Sequence, residues 1–327
     1  MNEFMEKIVE EEKKFKTEEV TMQNGSKMLR IIALRPIETS RGVVKPGEPG
    51  GLIAHEDCLS QSGDCWVWYN AKVLNNARVR DNAQVFGNAV ITDDAKIYDQ
   101  VEISGDAVVM EDALVGGGAR IYDSARVCGS SRVCGYAKVY DYAIIANNAT
   151  VSNHATIRGS AKVSGNSNIH GHAIIEGNSN ISGNVEIFEN AIISVNDGEH
   201  NEIMMGRFGI NAYIDGKATD YIVAGPLGSR DDMITVYYTK NGLYVCCGCF
   251  KGSVDDFSHA VLLTHGKNNK HSHFHDYNSF ILFAISILNR HHAEAWNDKP
   301  KDINNDTLYN TRSNNDCDCE CATMEAE

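Results

Sequence analysis

A six-residue repeat runs through the middle of the chain and constrains its fold more than any other feature. From Asn70 to Val195 the repeat continues for 21 hexads without an insertion or a deletion. The second position of each hexad is almost always Ala, with Val or Ser as exceptions, and the fourth is always Val or Ile. Asn, Asp, Gly and Ser, which tolerate tight turns, dominate the first and sixth positions. The small and aliphatic positions are therefore predicted to point inward, with the turn formers at corners.

Three hexads predict one triangular coil of 18 residues, so that residues n and n+18 lie directly above one another. The whole repeat then gives about seven coils. The side chains that this stacking predicts as neighbours form compatible pairs, namely Tyr122 with Tyr140, Arg158 with Glu176, and His154 with His172.

Aliphatic and small residues at this spacing resemble the hexapeptide-repeat proteins, and the resemblance covers 126 residues. It implies a mainly β fold built on a left-handed parallel β-helix. The segments GGLIAHEDCLSQSGDCWV, GPLGSRDD and CGCF also resemble β-helix proteins of phages and prophages. The part of the chain up to the end of the repeat is similar to bacterial hexapeptide-repeat acyltransferases of the YdcK type. These resemblances imply either a phage-type structural protein or an acyltransferase.

The segments on either side of the repeat differ from it in composition. An acidic stretch with an apolar stripe opens the chain, and the hexad phase is lost after Val195. Beyond it, strand patterns, an Asn-Gly turn and two helical patterns predict a small α+β domain. The predicted segments are an N-terminal acidic helix over 1–20, a β-rich cap over 21–69, the β-helix over 70–195, an α+β module over 196–298 and a disordered tail over 299–327.

The formal net charge of −14 argues against nucleic acid and membrane surfaces as partners, because both are polyanionic. The acidic N-terminal stretch lacks the apolar core of a signal peptide, which predicts a cytoplasmic protein, in a bacterial host if a phage encodes it. In that compartment the ten cysteines are expected to be reduced thiols or metal ligands rather than disulfides.

One candidate catalytic site lies on the repeat itself. His154 and His172 share a column, and His170 lies on an adjacent face close to His172. Acyltransferases with this repeat use a His general base between neighbouring rods, which would make acetyl-CoA the cofactor. Such enzymes usually extrude a loop from the coils, and this repeat has none. The competing interpretation is that these imidazoles are polar surface residues at turns.

Two further candidate sites lie in the C-terminal module. Cys247 and Cys249 alternate along a predicted strand, and with His265 they could bind zinc or form a Cys/His nucleophile; buried structural cysteines are the alternative. The loop GPLGSRDD offers a guanidinium and carboxylates in a glycine-rich turn, which could hold an anionic ligand or pair internally. Its candidate ligand-binding residues are Ser229, Arg230, Asp231 and Asp232.

The sequence therefore favours a non-enzymatic scaffold, in which a rigid β-helix presents a C-terminal recognition module. An acyl- or acetyltransferase is the first alternative, and a protein that binds or sequesters a small nucleotide-like ligand is the second. Aliphatic side chains at outward positions, such as Val90 with Val108 and Ile174 with Ile192, predict a homo-oligomer, with a trimer as one candidate. Besides a second copy of the chain, the sequence does not identify a partner, whether a protein or a small molecule.

Overall fold

The computed structural model describes residues 13–195, 202–209, 212–214, 221–228, 231–239, 241–266 and 272–295. The chain divides into two compact units, Met1–Gly216 and Lys217–Glu327. No helix in the described part of the chain is long and apolar enough to cross a membrane. The tail predicted to be disordered, 299–327, lies outside the described residues.

The first unit is a parallel β-solenoid of about eight turns. Most of its strands are two residues long and begin six residues apart: β6 (Trp66–Val67), β7 (Lys72–Val73), β8 (Arg78–Val79), β9 (Gln84–Val85), β10 (Val90–Ile91), β11 (Lys96–Ile97), β12 (Glu102–Ile103), β13 (Val108–Val109), β14 (Leu114–Val115), β15 (Arg120–Ile121), β16 (Arg126–Val127), β17 (Arg132–Val133), β18 (Lys138–Val139), β19 (Ile144–Ile145), β20 (Thr150–Val151), β21 (Thr156–Ile157), β22 (Lys162–Val163) and β23 (Asn168–Ile169). The last strands are β24 (Ile174–Gly177), β25 (Asn180–Ile187), β26 (Ile192–Val195), β27 (Glu202–Phe208) and β28 (Tyr213–Ile214).

The stacking follows the predicted register of 18 residues. Arg120 on β15, for example, pairs with Glu102 on one side and with Lys138 on the other. The stack continues beyond the predicted repeat at both ends, because Trp66 joins it before Asn70 and Ile214 pairs with Ile193 after Val195. The hexad phase holds at Trp66 and is lost after Val195, but the parallel pairing persists at both ends, which accounts for about eight turns instead of seven.

The interior of the solenoid is made of the second and fourth hexad positions, as predicted. Ala at the second position and Val or Ile at the fourth are almost all completely buried, and Ser131, Ser167 and Ser179 take the place of Ala in three coils. Each turn of the rod therefore buries three aliphatic side chains, each contributing roughly 1.5–3 kcal/mol of transfer free energy. Small residues opposite them allow the faces of the coil to approach closely.

The corners depend on residues that accept positive φ. Asp81 and Asp99 lie at φ 56° and 60°, a left-handed conformation that Asp, Asn and Gly adopt more readily than other residues. Their carboxylates also bridge the coils: Asp81 accepts a hydrogen bond from the Asp99 backbone N–H (3.0 Å), and Asp99 accepts one from Gly117 (2.7 Å). Polar corners thus hold consecutive coils together from outside the core.

An antiparallel cap precedes the solenoid. Its strands are β1 (Phe15–Thr21), β2 (Lys27–Ala33), β3 (Ile37–Thr39), β4 (Gly42–Val44) and β5 (Pro49–Ile53), followed by a 3-10 turn at Glu56–Cys58. β1 pairs with β2, β2 with β5, and β5 joins the parallel stack beside β7. The helix predicted over 1–20 does not hold for its described end, because pairing with β2 makes residues 15–21 a strand.

Lys14 anchors the start of the cap to the first coil. Its ammonium is fully buried and donates to the carbonyls of Ser62, Gly63 and Cys65 and to the Cys65 sulfur. Burial lowers the pKa of Lys14 and raises that of the Cys65 thiol. Of the aromatic residues where the cap meets the solenoid, Trp66 is buried and Tyr69 is exposed.

The second unit is a four-stranded antiparallel sheet with two helices. Its strands β29 (Tyr221–Leu227), β30 (Asp232–Thr239), β31 (Gly242–Cys247) and β32 (Phe250–Ser253) lie in sequence order, followed by α1 (Val254–His265) and α2 (Ser272–Ala295). The predicted Asn-Gly hairpin joins β30 to β31, and Ser253 caps α1 through Asp256 N–H. The core contains Val236, Val245, Phe257 and Ile281 among others.

We predict that Ser131→Ala stabilises the protein. The buried Ser131 hydroxyl has no hydrogen-bond partner among the described residues, whereas most coils carry Ala at that position. Removing it should raise the free energy of unfolding by about 1 kcal/mol in a urea titration. Ser167→Ala is the matched control, because the Ser167 hydroxyl donates to the Ser164 carbonyl at 2.7 Å. A Ser131→Ala variant no more stable than Ser167→Ala would contradict the prediction.

Candidate functional site

An open groove of about 550 Å³ lies on the outer face of the sheet that runs from β6 to β28. Its volume falls in the range of small-molecule sites, roughly 300–1,000 Å³. One wall is the β3–β4 hairpin, which contributes Glu38, Thr39 and Ser40. The floor and the other wall are two columns of solenoid side chains: Gln84, Glu102, Arg120 and Lys138 in one, and Asn82, Gln100, Gly118, Tyr136 and His154 in the other.

The hairpin is fixed against the solenoid at its tip. The guanidinium of Arg41 lies 3.8 Å from the centroid of the Phe86 ring and 5.8 Å from that of Trp68. Cation–π contacts of this kind are worth roughly 0.5–2 kcal/mol. Next to Arg41, the Ser40 hydroxyl donates to the Glu102 carboxylate at 2.9 Å. These contacts hold one wall of the groove in place over the sheet.

Along the first column, the side chains change from the buried amide of Gln84 to the ammonium of Lys138. Gln84 is buried, donates to the carbonyls of Asp64 and Asn82, and accepts from the Trp68 indole. Glu102 and Arg120 form an ion pair at 3.3 Å. Lys138 follows on the next coil, and its ammonium makes no hydrogen bond or ion pair in the described part of the chain. A ligand in the groove thus meets one paired and one unpaired cation.

The second column is a stack of rings. Tyr136 and His154 lie 5.3 Å apart between ring centroids, and His154 and His172 lie 4.9 Å apart, which confirms the predicted His154–His172 neighbours. Desolvation, with His172 and Lys138 nearby, lowers the pKa of His154. The imidazole is therefore mostly neutral at neutral pH, since its ordinary pKa is about 6.5. Of the two predicted catalytic imidazoles, only His154 lines the groove.

The third candidate imidazole, His170, belongs to a structural cluster on another face. Its ring stacks on Phe188 with centroids 5.7 Å apart, and its Nε2 lies 3.3 Å from the Glu186 carboxylate. Arg207 forms an ion pair with the same carboxylate. The hydrogen bond from His170, together with Arg207, lowers the pKa of Glu186 to about 2. His170 thus ties β23 to the late strands β25 and β27.

The structure does not bring the predicted zinc ligands together as a set. Cys247 ends β31 and belongs to the hydrophobic core, while Cys249 is exposed in the turn that follows. Cys249 therefore does not continue the strand alternation on which the prediction depended. His265 ends α1 and packs near His273 and Tyr277. In the described ranges no group of three His, Cys, Asp or Glu could hold a metal ion.

The glycine-rich loop of the second unit has a packing role in its described part. A Cβ at Gly228 would lie 2.0 Å from the ring of Tyr277, so the loop approaches α2 as closely as only glycine allows. Asp231, at φ 49°, forms the turn into β30, and its N–H bonds to Gly228. Ser229 and Arg230 lie outside the described residues, so the anion-binding proposal for Arg230 remains a prediction.

The groove was not indicated by the sequence, because its two walls are far apart in the chain. Ser40 and Glu102, which close it, are separated by 62 residues. One signal in the sequence was the change along an outward column, where polar residues such as Glu102 and Arg120 give way to Ile174 and Ile192.

The fold and the groove define a parallel β-solenoid with a lateral polar cleft. No protein-family model matches the chain, and no curated protein matches it. The class is therefore established by the structure, and the relationship to hexapeptide-repeat proteins remains a resemblance.

We predict that Glu186 makes the stability of the rod sensitive to acid. Its pKa is lowered on folding, so its contribution is complete above the unfolded pKa of about 4.3 and is lost as the pH falls towards 2. The melting temperature of the unmodified protein should therefore fall more steeply than that of Glu186→Gln between about pH 4.5 and 2. If the melting temperatures of the two proteins fell equally over that pH interval, Glu186 would not be the acid-sensitive group.

Proposed function

We propose that the protein is a non-enzymatic interaction scaffold built on a left-handed hexapeptide-repeat β-helix. The observation that carries the proposal is the uninterrupted stack from β7 to β23, in which two-residue strands recur every six residues without an inserted loop. Such a rod keeps the side chains on its faces at fixed positions. The groove supplies a binding surface on that rod, and the second unit is the proposed recognition module.

An acyltransferase is the second candidate, and the position of His154 favours it. A neutral imidazole at the edge of a groove is suited to general-base chemistry on a hydroxyl or amine acceptor, with acetyl-CoA as donor. Against it, the Glu102–Arg120 pair neutralises one of the two groove cations, which leaves only Lys138 for the phosphates of coenzyme A. The scaffold function therefore has the better support.

We predict no transfer activity with acetyl-CoA. The purified full chain is incubated with acetyl-CoA and a panel of sugar, amino-acid and antibiotic acceptors, and free coenzyme A is measured by chromatography. Release should not exceed that without protein. Release that His154→Asn reduces at least about 100-fold, with His275→Asn unaffected, would replace the scaffold proposal with the transferase. His275 is an exposed residue of α2 and serves as the matched control.

We further propose that the scaffold self-associates through its outward aliphatic columns. Val90 and Val108 are stacked in register on one face, and both are only partly buried. Val108→Lys should lower the mass measured by light scattering towards the 36.0 kDa of one chain, because it places a charge in the interface. Thr150→Lys, at an outward position of another face, is the control. A monomeric parent protein at micromolar concentration would refute self-association.

A further inference from the structure

The column of rings in the groove has a gap at Gly118. Gly118 occupies the same column as Tyr136, one coil earlier, and Gln100 lies one coil before that. A Cβ at position 118 would lie 2.8 Å from two carbons of the Tyr136 ring, so the tyrosine leans over the glycine. His154 stacks on one face of Tyr136, whereas Gly118 has no side chain to cover the other. Because the Tyr136 ring already lies beside the missing Cβ, the gap is the part of the groove farther out, which Gln100, Gly118 and Tyr136 line.

The charges that line the groove balance. Glu38 and Glu102 are opposed by Arg120 and Lys138, and the histidine at the edge is mostly neutral at neutral pH. Sites for phosphates concentrate cations or helix N-termini, whereas the two cations of this lining are matched by two carboxylates and the lining includes no residue of a helix. The balance thus favours an uncharged ligand over a nucleotide or coenzyme A.

The groove also offers uncommitted hydrogen-bonding groups of both kinds. In the described part of the chain, the Gln100 amide, the Tyr136 hydroxyl, the Lys138 ammonium and the Glu38 carboxylate make no hydrogen bond. Together they provide donors and acceptors around an exposed ring. A polyhydroxylated ring satisfies this combination, because its hydroxyls both donate and accept while its C–H face packs on an aromatic side chain.

The length of the groove favours a chain of such rings. From Asn82 to His154 the lining spans four coil steps, or about 19 Å at the spacing of hydrogen-bonded strands. We propose that the groove binds an uncharged oligosaccharide, with one sugar ring in the gap at Gly118 against Tyr136. This inference rests on the proposed function only in treating the groove as a binding surface. Turnover of acetyl-CoA would overturn the scaffold without deciding whether saccharide binds.

The test uses the full chain on an array of neutral and acidic glycans. The strongest neutral glycan is then titrated by calorimetry, with UDP, adenosine and acetyl-CoA as comparison ligands. We expect a neutral oligosaccharide to bind and the comparison ligands not to bind at the same concentrations. Tyr136→Ala, which removes the platform, and Gly118→Gln, whose Cβ must displace the Tyr136 ring and whose side chain enters the groove, should each weaken binding about tenfold or more.

Tyr142→Ala is the matched control, because Tyr142 is a similarly exposed tyrosine of the solenoid, 70% against 63% for Tyr136, and does not line the groove. It should bind as the parent protein does, and all variants should melt at similar temperatures. The inference is overturned if no neutral glycan binds, if only the comparison ligands bind, or if Tyr136→Ala and Gly118→Gln bind within twofold of Tyr142→Ala.

Discussion

The parallel pairing of each residue with the residue one coil later is the constraint on which the first unit depends. The short strands hydrogen-bond to their neighbours along the rod axis, so an extra residue within a strand would move the following side chains of that coil out of their columns. This explains why the interior is so uniform: a Val or Ile at position four must pack on another directly above and below it. Backbone pairing and interior packing specify the same register.

The same constraint makes the outer surface a set of columns. A side chain in a column has fixed neighbours about 4.8 Å away, so chemically compatible residues stack. Tyr122 lies 4.7 Å from Tyr140 between ring centroids, and Arg158 pairs with Glu176. Where one side chain of a column is missing, a neighbouring ring can lean into part of its space, as Tyr136 does at Gly118. A binding site can therefore form on such a rod beside a column that lacks one side chain, without an inserted loop.

The sequence was sufficient for the solenoid because its signal is local and repeated. Register, inward positions and stacked pairs all follow from one period. The cap was harder, since residues 15–21 have an amphipathic pattern but form a strand once β2 provides an edge to pair with. The groove could not be predicted from the sequence, because Arg41 contacts Phe86 only after the β3–β4 hairpin folds back on the sheet. Cys249 was misplaced because a turn at Gly248, with φ 56°, ends the alternation of β31.

The two candidate regions, the second unit and the groove, differ in whether their residues already have a structural role. In the second unit, two residues at the candidate sites have packing roles: Cys247 lies in the core, and Gly228 makes room for Tyr277. In the groove the opposite holds. The Lys138 ammonium and the Tyr136 hydroxyl make no hydrogen bond within the described residues, and neither is needed for the register of the coils. Polar groups that the fold neither pairs nor requires are those available to a ligand, and this is the reason for which we propose a binding site on the side of the rod.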